Sequence, residues 1–94
     1  MFQLVPFSDA AQKQAKLDEI KQALEALKDK IDVLRSIRVD FNCNPDEAFD
    51  FILTTELDSL ADVNTYATHP DHVAVSKGII GPVKAGRACV DYEY

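Results

Sequence analysis

Apolar positions along the chain follow two rhythms, and the switches between them mark the elements. Met1 to Val5 is an apolar run that stops at Pro6, which suits a short strand. Leu17, Ile20, Leu24, Leu27 and Ile31 then recur at spacings of three and four, between Lys, Asp, Glu and Gln. That is one buried stripe of a helix, predicted over residues 9–30, with Ser8 as its cap and Asp9 in its first turn. Ile37, Val39 and Phe41 next alternate with Ser36, Arg38 and Asp40, the period of a half-buried strand. Turn residues fill Asn42-Cys43-Asn44-Pro45-Asp46. A second alternation sets Phe49, Phe51, Leu53 and Thr55 against Asp50, Ile52, Thr54 and Glu56, so an antiparallel hairpin is expected.

Asp58 or Ser59 is expected to cap a second helix bearing Leu60, Val63, Tyr66 and Ala67. Pro70 drives His69 out of the α region, so this helix breaks there and restarts with Pro70 at its first position. The restarted piece runs to about Ile80 and ends at Gly81-Pro82. A last strand is predicted with Ala88, Val90, Tyr92 and Tyr94 on one face and Arg87, Cys89, Asp91 and Glu93 on the other. The order is β-α-β-β-α-β, an α+β fold of the ferredoxin-like kind: one domain, 1–94, with a four-stranded antiparallel sheet carrying both helices on one face. Ile37, Val39, Phe41, Phe49, Phe51 and Leu53 form its greasy face. The opposite face, with Ile52, Thr54, Arg38 and Cys89, is mixed and is a candidate for pairing with a second copy. Five residues barely cross such a sheet, and a few more upstream of Met1 are expected to complete the first strand.

Composition narrows the partners. Of 94 residues, 47% are hydrophobic and 28% charged, ordinary values for a globular chain. No apolar run approaches the roughly 20 residues of a membrane-spanning helix, and the N-terminus lacks a basic leader, so a cytoplasmic location is expected. The net charge of −6 is uneven: residues 1–38 hold seven Lys/Arg and six Asp/Glu, residues 39–94 three and ten. The basic residues alternate with acids along the first helix as a solvated face, which argues against nucleic acid and membranes as partners. Cys43 and Cys89 form no CxxC motif and are expected to be free buried thiols. Neither a metal nor a cofactor is expected.

Both histidines lie in Tyr66-Ala67-Thr68-His69-Pro70-Asp71-His72-Val73, three apart across a proline, and Val90-Asp91-Tyr92 stands near the end. This Tyr-x-x-His-Pro-x-His signature with a terminal Asp-Tyr resembles the Dabb family, the stress-responsive dimeric α/β-barrel domain. The resemblance spans nearly the whole chain. It implies a homodimer in which two ferredoxin-like sheets pack face to face into a dimeric α/β barrel, with C-terminal segments reaching toward the partner. Most members have no assigned activity. One branch catalyses cofactor-free aldol cyclisation of a polyketide between sheet and helices, using a helix His that matches His72, a Tyr that matches Tyr66, and a His on the third strand. Where that strand His would fall, fifteen residues before Tyr66, this sequence has Phe51.

The resemblance and the residues together name the candidates. His72, near the start of its helix segment, is favoured as a neutral imidazole, the form a general base requires. Tyr66 lies on the inward stripe as core and phenol donor. The expected ligand pocket takes Phe51, Phe49, His69, Tyr66 and His72, with His69 also capping the helix break. Tyr92, Tyr94 and Ile52 are the expected dimer contacts. The reading is a homodimer of unassigned role, binding a small apolar or aromatic molecule if it binds anything. The alternatives are a cofactor-free cyclase, isomerase or oxygenase working through His72 and Tyr66, and a purely structural dimer with no pocket.

Overall fold

Asp9, rather than Ser8, starts the first helix: its carboxylate accepts the Ala11 N–H at 2.7 Å. The computed structural model describes residues 1–93. Helix α1 covers Ala10–Glu25, and a 3₁₀ turn over Ala26–Asp29 tightens its end. The whole predicted stripe, Leu17 through Ile31, is buried, with Ile20 fully so. Fully burying one such side chain is worth about 1.5–3 kcal/mol, so this stripe anchors α1 more firmly than its surface ion pairs.

The sheet consists of β1 (Phe2–Leu4), β2 (Ser36–Phe41), β3 (Phe51–Glu56) and β4 (Lys84–Arg87), in the order β2-β3-β1-β4 and antiparallel throughout. The β2–β3 hairpin is continuous from Ser36↔Glu56 to Phe41↔Phe51. Alternation puts Val39 and Phe51, each 1% exposed, under the helices and leaves Ile52, Thr54, Glu56 and Arg38 on the open face. Between β3 and β1 the register is a single pair, Phe2↔Phe51. Asp50 reinforces this seam: its N–H donates to the Phe2 carbonyl at 2.8 Å, and its carboxylate accepts the Leu4 N–H at 2.7 Å. The same carboxylate pairs with Lys13 of α1 at 2.6 Å.

Helix α2 spans Leu60–Thr68, capped by Ser59, whose hydroxyl accepts the Asp62 N–H at 3.2 Å. His69 is extended (φ −61°, ψ 135°), and α3 restarts at Pro70 and runs to Val75. A turn of π-helix, Ser76–Ile80, and a 3₁₀ turn, Gly81–Val83, lead into β4. The break and the restart stand as the sequence predicts.

Several expectations are corrected. Strand β4 lies at Lys84–Arg87, earlier than predicted. Its pairing with β1 ends where Met1 and Ala88 exchange backbone bonds (3.0 and 2.8 Å). Cys89–Glu93 therefore lie outside the strand, with Val90 and Tyr92 78% and 74% exposed; Tyr94 lies outside the described residues. Phe49 belongs to the loop before β3, not to the strand. Leu60 and Ala67 are exposed because at about 100° per residue they sit roughly 120° and 100° round α2 from inward Tyr66. Both cysteines are free and exposed rather than buried, one in the β2–β3 loop and the other beyond β4.

Candidate functional site

Tyr66 and His72 meet only because the helix is broken between them. Six residues apart on one continuous helix, they would lie about 9 Å apart along the axis and roughly 120° apart around it. Pro70 has no N–H to donate back into α2, and extended His69 turns the chain. The two rings come to 4.4 Å between centroids, tilted by 53°.

The sequence around the break also fixes each ring's hydrogen bonding. His69 Nδ1 accepts the Asp71 N–H at 3.1 Å, so this side chain caps α3, as expected for a residue before a helix-starting proline. His72 Nδ1 lies 3.0 Å from the Ala67 carbonyl oxygen. A carbonyl only accepts, so Nδ1 carries the proton and neutral His72 presents Nε2 as the bare, basic nitrogen. Burial lowers the His72 pKa below the ordinary imidazole value, and the charge of Arg87 lowers it further against the opposing bond to Ala67. Tyr66 is 7% exposed and its hydroxyl has no hydrogen-bond partner. Burial pushes its pKa up to about 12, so the phenol keeps its proton and remains a donor. The contact of the rings thus sets a basic imidazole beside a proton-holding, unpartnered phenol, the two kinds of group that general acid–base chemistry uses.

The remaining candidates are placed differently. Phe51 is fully buried and stacks on Phe2 at 5.0 Å between ring centroids, so it fills the core where a pocket wall was expected. Phe49 is half-buried in its loop, its carbonyl accepting from the Asn42 amide at 2.7 Å. The two shallow hollows described lie elsewhere: one over α1 beside Phe7 and Lys16, the other on the β2–β3 ribbon beside Ser36 and Arg38. Among the described residues no cluster of three His, Cys, Asp or Glu could hold a metal. Arg87 was missed. Its pairing with Phe2 turns it toward the helices, and its guanidinium sits 6.0 Å from the Phe2 ring centre. Only the alternation of a correctly placed β4 could have shown this.

The family model of the stress responsive A/B barrel domain, Dabb, matches residues 1–94. The chain belongs to the Dabb family. A dimeric protein of unknown function with a ferredoxin-like fold from Bacteroides fragilis is 45% identical to this Dabb chain. The two superpose with a TM-score of 0.90 over 99% of this chain and 89% of that one. A Dabb family protein with a ferredoxin-like fold from Mesorhizobium loti, 22% identical, shares the fold with a TM-score of 0.67 over 90% of this chain and 81% of its own. No curated protein matches the sequence. No helix among the described residues is long and apolar enough to cross a membrane.

Proposed function

We propose that this Dabb domain works as a homodimer, its open sheet face closed against a second copy into an α/β barrel, with the Tyr66–His72 pair engaging a small apolar or aromatic molecule. The observation that carries the dimer is the asymmetry of the sheet. One face is sealed by helices, while the other leaves Ile52, Met1 and Val5 37–45% exposed. The dimeric state of the 45% identical Bacteroides fragilis protein supports the same reading. Ile52 lies opposite Asp40 on β2, whose carboxylate already accepts from Arg38 Nε, so Ile52→Lys adds to a surface charge cluster tolerated within one chain while placing one extra charge from each copy in the interface. Light scattering is expected to give twice the chain mass for the parent and the single mass for Ile52→Lys. A monomeric parent overturns the proposal.

The ligand reading rests on the Tyr66 hydroxyl. A buried donor with no acceptor costs about 1–3 kcal/mol, and a ligand oxygen set between it and His72 Nε2 removes that cost. The ligand is a small molecule with one hydroxyl, which accepts from Tyr66 and donates to His72 Nε2, on an apolar or aromatic body, for which phenol and benzyl alcohol serve as probes. Either should raise the melting temperature of the parent and not that of His72→Ala. Equal shifts in both would remove His72 from binding. The cyclase alternative is weakened by Phe51, an apolar ring packed on Phe2 at the place of the third polar group.

A further inference from the structure

Strand β2 is an edge of the sheet, and its outward backbone groups would ordinarily be free to pair with another strand. The Asn42 N–H bonds to Asp50 beside β3, so by alternation Ile37, Val39 and Phe41 turn their N–H and C=O groups away from the sheet. At Val39 both are occupied by side chains of α1. The Glu25 carboxylate accepts the Val39 N–H at 3.1 Å, and Lys21 Nζ donates to the Val39 carbonyl at 2.7 Å. Lys21 and Glu25 are joined to each other at 3.0 Å, one helical turn apart, so the two side chains stand where a neighbouring strand would. The Val39 N–H and Lys21 hold the Glu25 carboxyl below its ordinary pKa, which keeps the pair charged. Lys21 also lies 5.9 Å from the centre of the Phe41 ring.

The sequence beneath this pair is symmetric in its chemistry about Val39. Arg38 and Asp40 flank it on the open face, Ile37 and Phe41 on the helix face. Within the strand Arg38 Nε donates to the Asp40 carboxylate, so pairing with a second copy exchanges this ion pair for its intermolecular equivalent. Two copies of β2 laid antiparallel with Val39 opposite Val39 would put each Arg38 across from an Asp40 and each Ile37 across from a Phe41. Both are favourable cross-strand pairs. The two Val39 residues would exchange both backbone bonds at the two-fold axis, and the helices of both copies would stay on one face. The exchanged pair is the one that Glu25 and Lys21 occupy. We propose that β2 is a self-complementary docking edge for a second copy of this chain, held shut by the Lys21–Glu25 pair. This contact is distinct from the open-face contact proposed above, and it is read as a change from the parent's mass, whatever that mass is.

The test is the solution mass of the Lys21→Ala/Glu25→Ala double variant beside the parent at matched concentrations. The expected result is a doubling of mass that grows with concentration. Adding Arg38→Asp, which sets two acidic groups across from each other, should return the mass to the parent's. An unchanged mass in the double variant overturns the proposal, and so does a doubled mass that Arg38→Asp leaves in place. If the double variant loses its helical circular dichroism, the single Glu25→Ser variant, whose side chain is too short to reach Val39, is read by the same two outcomes.

Discussion

Tyr66 and His72 stay uncharged for one reason acting in opposite directions: burial raises the acid's pKa and lowers the base's. For His72 this has a sign in stability. Above its ordinary value of 6.5 the imidazole is neutral in folded and unfolded chains alike, and its environment costs nothing. Below that value the unfolded chain takes up a proton that folded His72 resists, so stability falls as the pH falls. Urea unfolding between about pH 7 and pH 5 should therefore show a falling midpoint, with a shallower slope in His72→Gln. Equal slopes would mean that His72 is no more desolvated than in the unfolded chain. The touching of the two rings was implicit in the sequence once Pro70 was seen to break the helix. The unpartnered state of the Tyr66 hydroxyl was not, because it depends on what surrounds the ring in three dimensions.

Elements were readable wherever one strong local rule acted alone. The Leu17–Ile31 stripe, the β2–β3 alternation and the restart at Pro70 each follow from periodicity or from a fixed backbone angle. Boundaries decided by competition between neighbours were not readable. Ser8 and Asp9 are both good caps, and only the carboxylate of Asp9 reaches the Ala11 N–H. Asp9→Ala should cost about 1 kcal/mol of unfolding free energy and Ser8→Ala close to none, as measured by urea titration. The last strand was misplaced because Ala88, Val90 and Tyr92 alternate as a strand should, whereas a strand also needs a neighbour to bond. That neighbour, β1, offers its pairing to Lys84–Arg87 instead. Arg87 changed faces with this shift and came to lie over Phe2.

At the scale of the whole molecule, a 94-residue chain with one sheet face open has a reason to associate. Stable interfaces bury about 800 Å² per partner, roughly an eighth of the 6343 Å² this chain exposes. Dimer stability depends on concentration, so the melting temperature of the parent should climb over a hundred-fold dilution series read upward, and that of Ile52→Lys should stay flat. A flat parent curve would mean that the folded unit is the single chain.

The narrow join at the middle of the sheet gives the molecule a parting line. A wide ribbon, β2–β3, and a short one, β1–β4, touch through a single rung, and Asp50 supplies with its side chain the acceptor that a longer neighbouring strand would have supplied with its backbone. The amide proton of Leu4 therefore hangs on that one carboxylate, and Asp50 is the clasp between the two ribbons.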